Sequence, residues 1–232
     1  LDKTYVRSLF DSIAYRYDLL NHLLSGGMDF YWRRKAIGHL RDLHPRRILD
    51  VATGTADFAI AALQLRPEQV VGIDISEKML ALGRKKLHER GLQDIVLLEA
   101  GEAESLRFDS DAFDAVIVAF GVRNFEHLER GLQQMQRVLR AGGKVVVLEF
   151  SRPSALLFRK LYLFYFRYLL PWIGRVISRH EEAYTYLPNS VMQFPEGEEF
   201  LAVLRRTGFS NVCQDRMTFG IATIYTGVKQ HY

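Results

Sequence analysis

The chain has 232 residues, 48% apolar and 25% charged, with 31 basic against 27 acidic side chains and a net charge of +4. That suffices for one large α/β domain with a sizeable core, and the charge surplus is too small to argue for a nucleic-acid partner. The single cysteine, Cys213, excludes an internal disulfide and a multi-cysteine metal site, and suits a reducing cytoplasm. No run of about 18 uncharged apolar residues predicts a transmembrane helix. Asp2, Lys3 and Arg7 interrupt what a signal peptide would need as an apolar core.

The first forty residues read as two aromatic-rich helices broken at Ser25-Gly26-Gly27. A regular alternation follows. Strands are predicted at Arg47–Val51, Val70–Asp74, Ile95–Glu99, Ala115–Ala119 and Lys144–Phe150. Helices are predicted at Thr55–Leu65, Glu77–Arg90 and Glu126–Leu139, the last ended by Arg140-Ala141-Gly142-Gly143. Strands alternating with helices imply a parallel sheet covered on both faces. Residues 154–180 read as a long aromatic helical stretch interrupted at Pro171. A last helix near Glu196–Thr207 and two β runs, Asn211–Met217 and Ile221–Val228, close the chain as a hairpin. Five parallel strands ending in a hairpin suit a methyltransferase sheet better than the symmetrical dinucleotide one.

The first strand runs into Asp50-Val51-Ala52-Thr53-Gly54-Thr55-Ala56-Asp57, and Asp74 ends the second. A strand, a tight turn opening a helix, and an acid about twenty residues on make a nucleotide-cofactor site. Only Gly54 survives of the three glycine positions, with Ala52 and Ala56 at the others, so NAD and S-adenosylmethionine both remain open at this point. Asp74 can hold ribose hydroxyls, and as an acid it disfavours NADP. Glu102, just past the third strand, can accept from an adenine amino group, with the Ala103 amide meeting a ring nitrogen. Asp50 either orients the turn or meets the amino-acid end of the cofactor. Acids tolerate a cationic sulfonium, whereas a pyrophosphate would favour a cleaner glycine turn, which turns the reading toward S-adenosylmethionine.

Four separated motifs then carry a resemblance. Tyr17-Asp18 with Asn21, Ser25 and Trp32 forms the first. Phe120-Gly121-Val122-Arg123-Asn124 forms the second. Arg137 with Gly142-Gly143 and Glu149-Phe150-Ser151 forms the third, and Ala183-Tyr184 with Tyr186-Leu187 and Ser190 the fourth. Over nearly its whole length the chain resembles the ubiquinone/menaquinone biosynthesis C-methyltransferases. It departs from them at Asp29, where histidine is usual, and at Ala141, where proline or valine is usual. The resemblance implies a class I, Rossmann-like α/β fold with a seven-stranded, mostly parallel sheet. Within a single domain 1–232 it implies a helical cover (1–44), a cofactor core (45–151), a helical insertion (152–195) and a last helix with hairpin (196–232).

By that resemblance Thr55, Asp74, Glu102, Ala103 and Ala119 contact S-adenosylmethionine, beside Asp50 and Gly54 of the turn. The implied reaction is C-methylation of a prenylated quinol, demethylmenaquinol, with the ubiquinone benzoquinol precursor, both quinols, or another hydrophobic small molecule as alternatives. A nonenzymatic cofactor-fold interaction protein is the remaining class. Arg123 is the catalytic candidate, because a guanidinium stays charged and can hydrogen-bond a developing quinolate. Tyr17, Asn124, Tyr184 and Tyr186 are candidates for substrate contact, and no side chain is assigned as general base. No metal is signalled, since the seven histidines lack ligand spacing. Residues 156–177, apolar and aromatic with Arg159, Lys160, Arg167 and Arg175, read either as a helix lying in a membrane interface or as a lid or dimer helix. The expected location is cytoplasmic, with a peripheral membrane contact or homodimer through that segment.

Overall fold

The structure, a computed structural model, describes residues 2–153 and 181–230; the side chains of 16–21, 23, 24, 181–185 and 187 lie outside the description. Its helices are α1 (Lys3–Leu24), α2 (Met28–Gly38), α3 (Asp57–Ala62), α4 (Glu77–Glu89), α5 (Leu128–Val138), α6 (Glu181–Gln193) and α7 (Glu198–Arg206). Its strands are β1 (Arg47–Val51), β2 (Gln69–Asp74), β3 (Val96–Ala100), β4 (Phe113–Ala119), β5 (Leu139–Phe150), β6 (Phe209–Met217) and β7 (Ala222–Lys229). The helical stretch expected at 154–180, and with it the segment 156–177, falls outside the described residues.

The strands form one sheet in the order β3-β2-β1-β4-β5-β7-β6. β1 through β5 run parallel, and β7 is antiparallel to both its neighbours. The central strands are near-continuous apolar runs because both sheet faces are covered. Alternate residues serve opposite layers. Ile48, Val70, Ala115, Ile117, Val146 and Leu148 meet Trp32, Ala36 and Ile37 of α2 and Phe58, Ala59 and Ala62 of α3. Leu49, Val51, Val71, Val116, Val118, Val145 and Val147 meet Leu132 and Met135 of α5 and Phe200 and Leu204 of α7. Each such fully buried large side chain contributes roughly 1.5–3 kcal/mol.

Among the boundaries that differ from the sequence reading, two bear on the packing. The helix expected over Thr55–Leu65 is shorter, giving way to a 3₁₀ turn at Leu63–Leu65 that ends on a left-handed Arg66. Gly142-Gly143 does not cap α5: the helix stops at Val138, and Leu139 already pairs with Phe113. The glycines instead sit in a register break of β5, where a Cβ on Gly143 would stand 2.8 Å from the Arg140 carbonyl and 2.9 Å from that of Asp114.

Buried polar contacts pin α2 beneath the site. Trp32 Nε1 donates to Thr218 Oγ1 at 2.7 Å, in the short link between β6 and β7. Ser151 ties the same link to β5, donating to the Gly220 carbonyl at 2.8 Å. Asp29, 2% exposed, accepts from Ser25 Oγ at 2.8 Å, pairs with His22 Nδ1 at 2.7 Å, and binds Arg33 one turn on. So Asp29, where the sequence departs from the pattern it resembles, is a structural carboxylate, and it does not line the cleft described below.

Burial pushes the Asp29 carboxyl up, but the bond from Ser25, the charge and bond of Arg33 and the bond from His22 outweigh it and hold it below the ordinary 3.8. A depressed folded value means stability that is present above the unfolded value and lost as pH falls through the folded one. Urea unfolding at pH 7 should show Asp29→Ala destabilised by about 3–5 kcal/mol, the usual cost of breaking a buried ion pair. The gap between parent and variant should narrow as the pH is taken from 4 downward, and a gap independent of pH would count against the assignment.

Candidate active site

At the carboxyl ends of β1 and β4 the chain leaves in opposite directions across the sheet, opening a crevice there. The first wall is the turn after β1. Ala52, Gly54 and Ala56 all have positive φ, at 55°, 57° and 70°, so two alanines hold the left-handed conformation that glycine adopts without strain. Packing and hydrogen bonds keep them there: Thr53 N donates to Ile73 O and Ala56 N to Thr53 O, both at 2.9 Å. The loop after β4 presses against this turn. A Cβ on Gly121 would stand 2.6 Å from that of Ala52, so only glycine fits.

Asp74, at the end of β2, accepts from Gly54 N at 2.9 Å and Ser76 N at 2.8 Å. Burial raises its pKa above the ordinary 3.8 against the pull of those amides. Each oxygen keeps a further lone pair for vicinal hydroxyls. Asp50 is fully buried beneath the turn, where Thr53 Oγ1 donates to its Oδ2 at 2.6 Å and its Oδ1 has no partner among the described residues. Burial pushes its pKa to about 7 despite the bonds from Thr53 and the Ala59 amide.

The cleft is open to solvent and is lined from α1, the turn after β1 and the loops after β2, β3 and β4. Of the predicted cofactor residues, Gly54, Asp74, Glu102, Ala103 and Ala119 line it. Asp50 and Thr55 do not. Asp50 lies beneath the turn, bonded to Thr53, and the Thr55 hydroxyl accepts from Lys86 Nζ at 3.1 Å. The sequence reading missed the contribution of α1, whose Lys3, Val6 and Phe10 form one wall, and that of Phe120 opposite. Lys3 Nζ lies 3.1 Å from Glu102, 2.5 Å from Glu104 and 3.8 Å from Glu126. Its bond to Glu104 leads the effects that raise its own pKa, while burial pushes Glu104 up and Lys3, together with the His127 and Glu126 amides, more than reverses that. No local pattern announces a contact between residues 99 positions apart; the left-handed Phe120 (φ 57°) likewise follows from tertiary packing.

Beyond these walls, Tyr186 donates to Asn124 Oδ1 at 2.8 Å, so two of the four substrate candidates meet at the cleft. Burial raises the Tyr186 pKa although the Arg123 charge lowers it, which leaves the phenol protonated near neutrality. The side chains of Tyr17 and Tyr184 lie outside the described residues. Arg123 stands one layer behind the wall, its side chain 5% exposed and paired with fully buried Glu149 at 2.7 Å. Among the described residues no cluster of three or more His, Cys, Asp or Glu is placed to hold a metal.

A crevice at this switch point, with carboxylates after β2 and β3 and no phosphate-binding glycine run, suits S-adenosylmethionine better than a dinucleotide. Solved structures share the fold. Phosphoethanolamine N-methyltransferase 2 of Haemonchus contortus, in complex with S-adenosyl-L-methionine, superposes with a TM-score of 0.67 at 16% identity, covering 97% of this chain and 60% of that one. The [4+2]-cyclase SpnF superposes equally well, at 0.67 and 18% identity, covering 98% of this chain and 96% of its own. The profile of the ubiE/COQ5 methyltransferase family matches residues 1–229, and the chain belongs to that family. Among its relatives, demethylmenaquinone methyltransferase of Bacteroides fragilis is 46% identical over 97% of this chain and 92% of its own. The ubiquinone/menaquinone biosynthesis C-methyltransferase UbiE of Geobacter sulfurreducens is 46% identical over 97% of this chain and 88% of its own.

The turn predicts its own pH dependence. The folded pKa of Asp50, about 7, lies above the unfolded 3.8. Its contribution to stability is therefore fully present below 3.8 and lost as pH rises through 7. Urea unfolding of the cofactor-free protein between pH 5 and 8 should show Asp50→Asn gaining on the parent with rising pH. Parallel curves for the two proteins would refute this.

Proposed function

We propose that the chain methylates a ring carbon of a reduced prenylated naphthoquinone, converting demethylmenaquinol to menaquinol. The observation that carries this reading is the loop Phe120–Asn124 after β4, which lines the cleft with Phe120, Gly121 and Asn124, bonds Asn124 to Tyr186 and holds Arg123 directly behind that wall. The name of the Bacteroides relative supports the ring, and the whole-length match supports the reaction. A second reading, in which the ubiquinone benzoquinol precursor serves as well, is supported by the name of the Geobacter relative.

S-adenosylmethionine supplies an electrophilic methyl group on a cationic sulfur when bound. In this proposal Asp74 holds its ribose hydroxyls, Glu102 and the Ala103 amide its adenine, and Gly54 and Ala119 line its path. A quinol carbon is a weak nucleophile until a ring hydroxyl, with a phenolic pKa near ~10, gives up its proton. Arg123 then stabilises the negative oxygen by hydrogen bonding. The ring carbon forms its bond to the methyl as the carbon–sulfur bond breaks, and the hydrogen on that carbon leaves as a proton. Asn124 and Tyr186 orient the ring, and holding the partners in line supplies much of the acceleration. The long apolar tail gives residues 156–177 their role in the proposal, resting against the bilayer surface.

A methyl-transfer assay with reduced naphthoquinone and benzoquinone precursors side by side tests the substrate, and turnover of neither sinks the proposal. Arg123→Met should lower turnover by roughly 10²–10³, the scale of losing one oxyanion donor, while S-adenosylhomocysteine affinity stays at the parent value. An equal loss of affinity would remove the anion role. Co-sedimentation with anionic liposomes at low and high salt checks the tail segment, and charge reversal at Arg159 and Lys160 should abolish the low-salt binding.

A further inference from the structure

We infer that Glu149 is a positioning residue for methyl transfer, acting through Arg123; this rests on the role proposed for that arginine. Glu149 closes β5 with no exposure to solvent, and its two oxygens grip Arg123 at both ends. Oε1 accepts from Arg123 Nη1 at 2.7 Å and Oε2 from the Arg123 backbone N at 3.3 Å. The Phe150 amide also donates to Oε1, at 2.9 Å.

Further contacts complete the clamp. Arg123 Nη1 donates to the Phe120 carbonyl, and Nε donates to Ser190 Oγ at 3.3 Å. The Phe150 ring lies 5.5 Å from the guanidinium carbon. One nitrogen is left: Nη2 bonds nothing among the described residues and is not among their sealed, unpartnered polar atoms. The plane of the guanidinium is therefore set by Glu149 and Ser190, and only one N–H₂ remains to meet a ligand oxygen. The same grip reaches the cleft wall, because Nη1 holds the carbonyl of Phe120, a residue in a left-handed conformation whose ring stacks on Phe150 at 4.4 Å.

Stability alone does not account for this pair. Taking two charges out of water costs several kcal/mol per ion, and a well-packed apolar pair in their place is often neutral or better. Nor is the pair needed to join the two strand ends, since Ala119 pairs with Leu148 and Phe120 N donates to Leu148 O at 2.7 Å. What the carboxylate adds is a fixed direction for the guanidinium and an opposite charge beside it before a neutral quinol arrives.

The test is a double-mutant cycle read by turnover, by S-adenosylhomocysteine affinity in calorimetry, and by thermal unfolding. Glu149→Gln should lower kcat by roughly 10²-fold, the scale of an ångström's misplacement, with cofactor affinity unchanged, since Glu149 does not line the cleft. Glu149→Asp keeps the buried charge and therefore the fold but withdraws it by one methylene, and it should lose turnover as well. Adding Glu149→Gln to Arg123→Met should cost nothing further, because both act through one group; that double variant removes both buried charges together and should fold. Parent-like turnover in a folded Glu149→Gln or Glu149→Asp variant overturns the inference while Arg123→Met remains impaired. So do losses that multiply in the double variant. Parent-like turnover in Arg123→Met defeats the anion role itself, and the inference with it.

Discussion

The parting of the chain after β1 and β4 is the constraint on which the site depends. β1 hands on to β2 on one side and β4 to β5 on the other, so the two loops leaving adjacent strands diverge and cannot fill the space between them. Both loops are nevertheless forced together at their bases, where Gly121 meets Ala52 with no room for a side chain. The outcome is a narrow floor with open walls. Left-handed residues lie on each side, Ala52, Gly54 and Ala56 on one and Phe120 on the other. Backbone held in such conformations persists only where its surroundings over-determine it, and here the sheet supplies that constraint.

The charges divide into two groups with different physics. Around the cofactor cleft, carboxylates outnumber cations: Asp74 is met by backbone amides, and Glu102 and Glu104 by the one Lys3 ammonium. Such a surface suits a cationic ligand and a ribose. Deeper in, two aspartates show how surroundings decide titration. Asp29 sits among Ser25, His22 and Arg33 and is held low, whereas burial drives Asp50, with one oxygen unbonded among the described residues, up to about 7. Arg123 and Glu149 form a third case, a matched pair buried at adjacent strand ends.

The motifs that identify the family acquire physical tasks. Trp32 bonds the β6–β7 link, and Ser25 serves the Asp29 cluster. In Glu149-Phe150-Ser151 the first residue grips Arg123, the second stacks on Phe120, and the third ties the hairpin. Ser190, far along the chain, returns to the Arg123 guanidinium. Apart from the local Ser25–Asp29 bond, these are contacts between segments far apart in the chain, which explains why the motifs are separated in sequence.

Strand positions were legible because buried parallel strands must be continuous apolar runs, and those at Ile48, Val70, Val116 and Val146 stand out between charged helices. The placement of Asp74 and Glu102 was legible because a carboxylate at or just past the end of such a run has one place to be, the open end of the sheet. Local pattern misled at Gly142-Gly143, which looks like a helix stop and is a close contact between strands. Thr55 and Asp50 carried the right motif, yet their side chains turn into the protein, since a turn's backbone and its side chains face opposite ways. What tertiary structure alone decided is everything that needs two remote segments at one point: Lys3 across the cleft, Tyr186 on Asn124, and Glu149 on Arg123. Periodicity and turn chemistry act over a few residues; the electrostatics of this site act over bonds that span 26 to 99 positions.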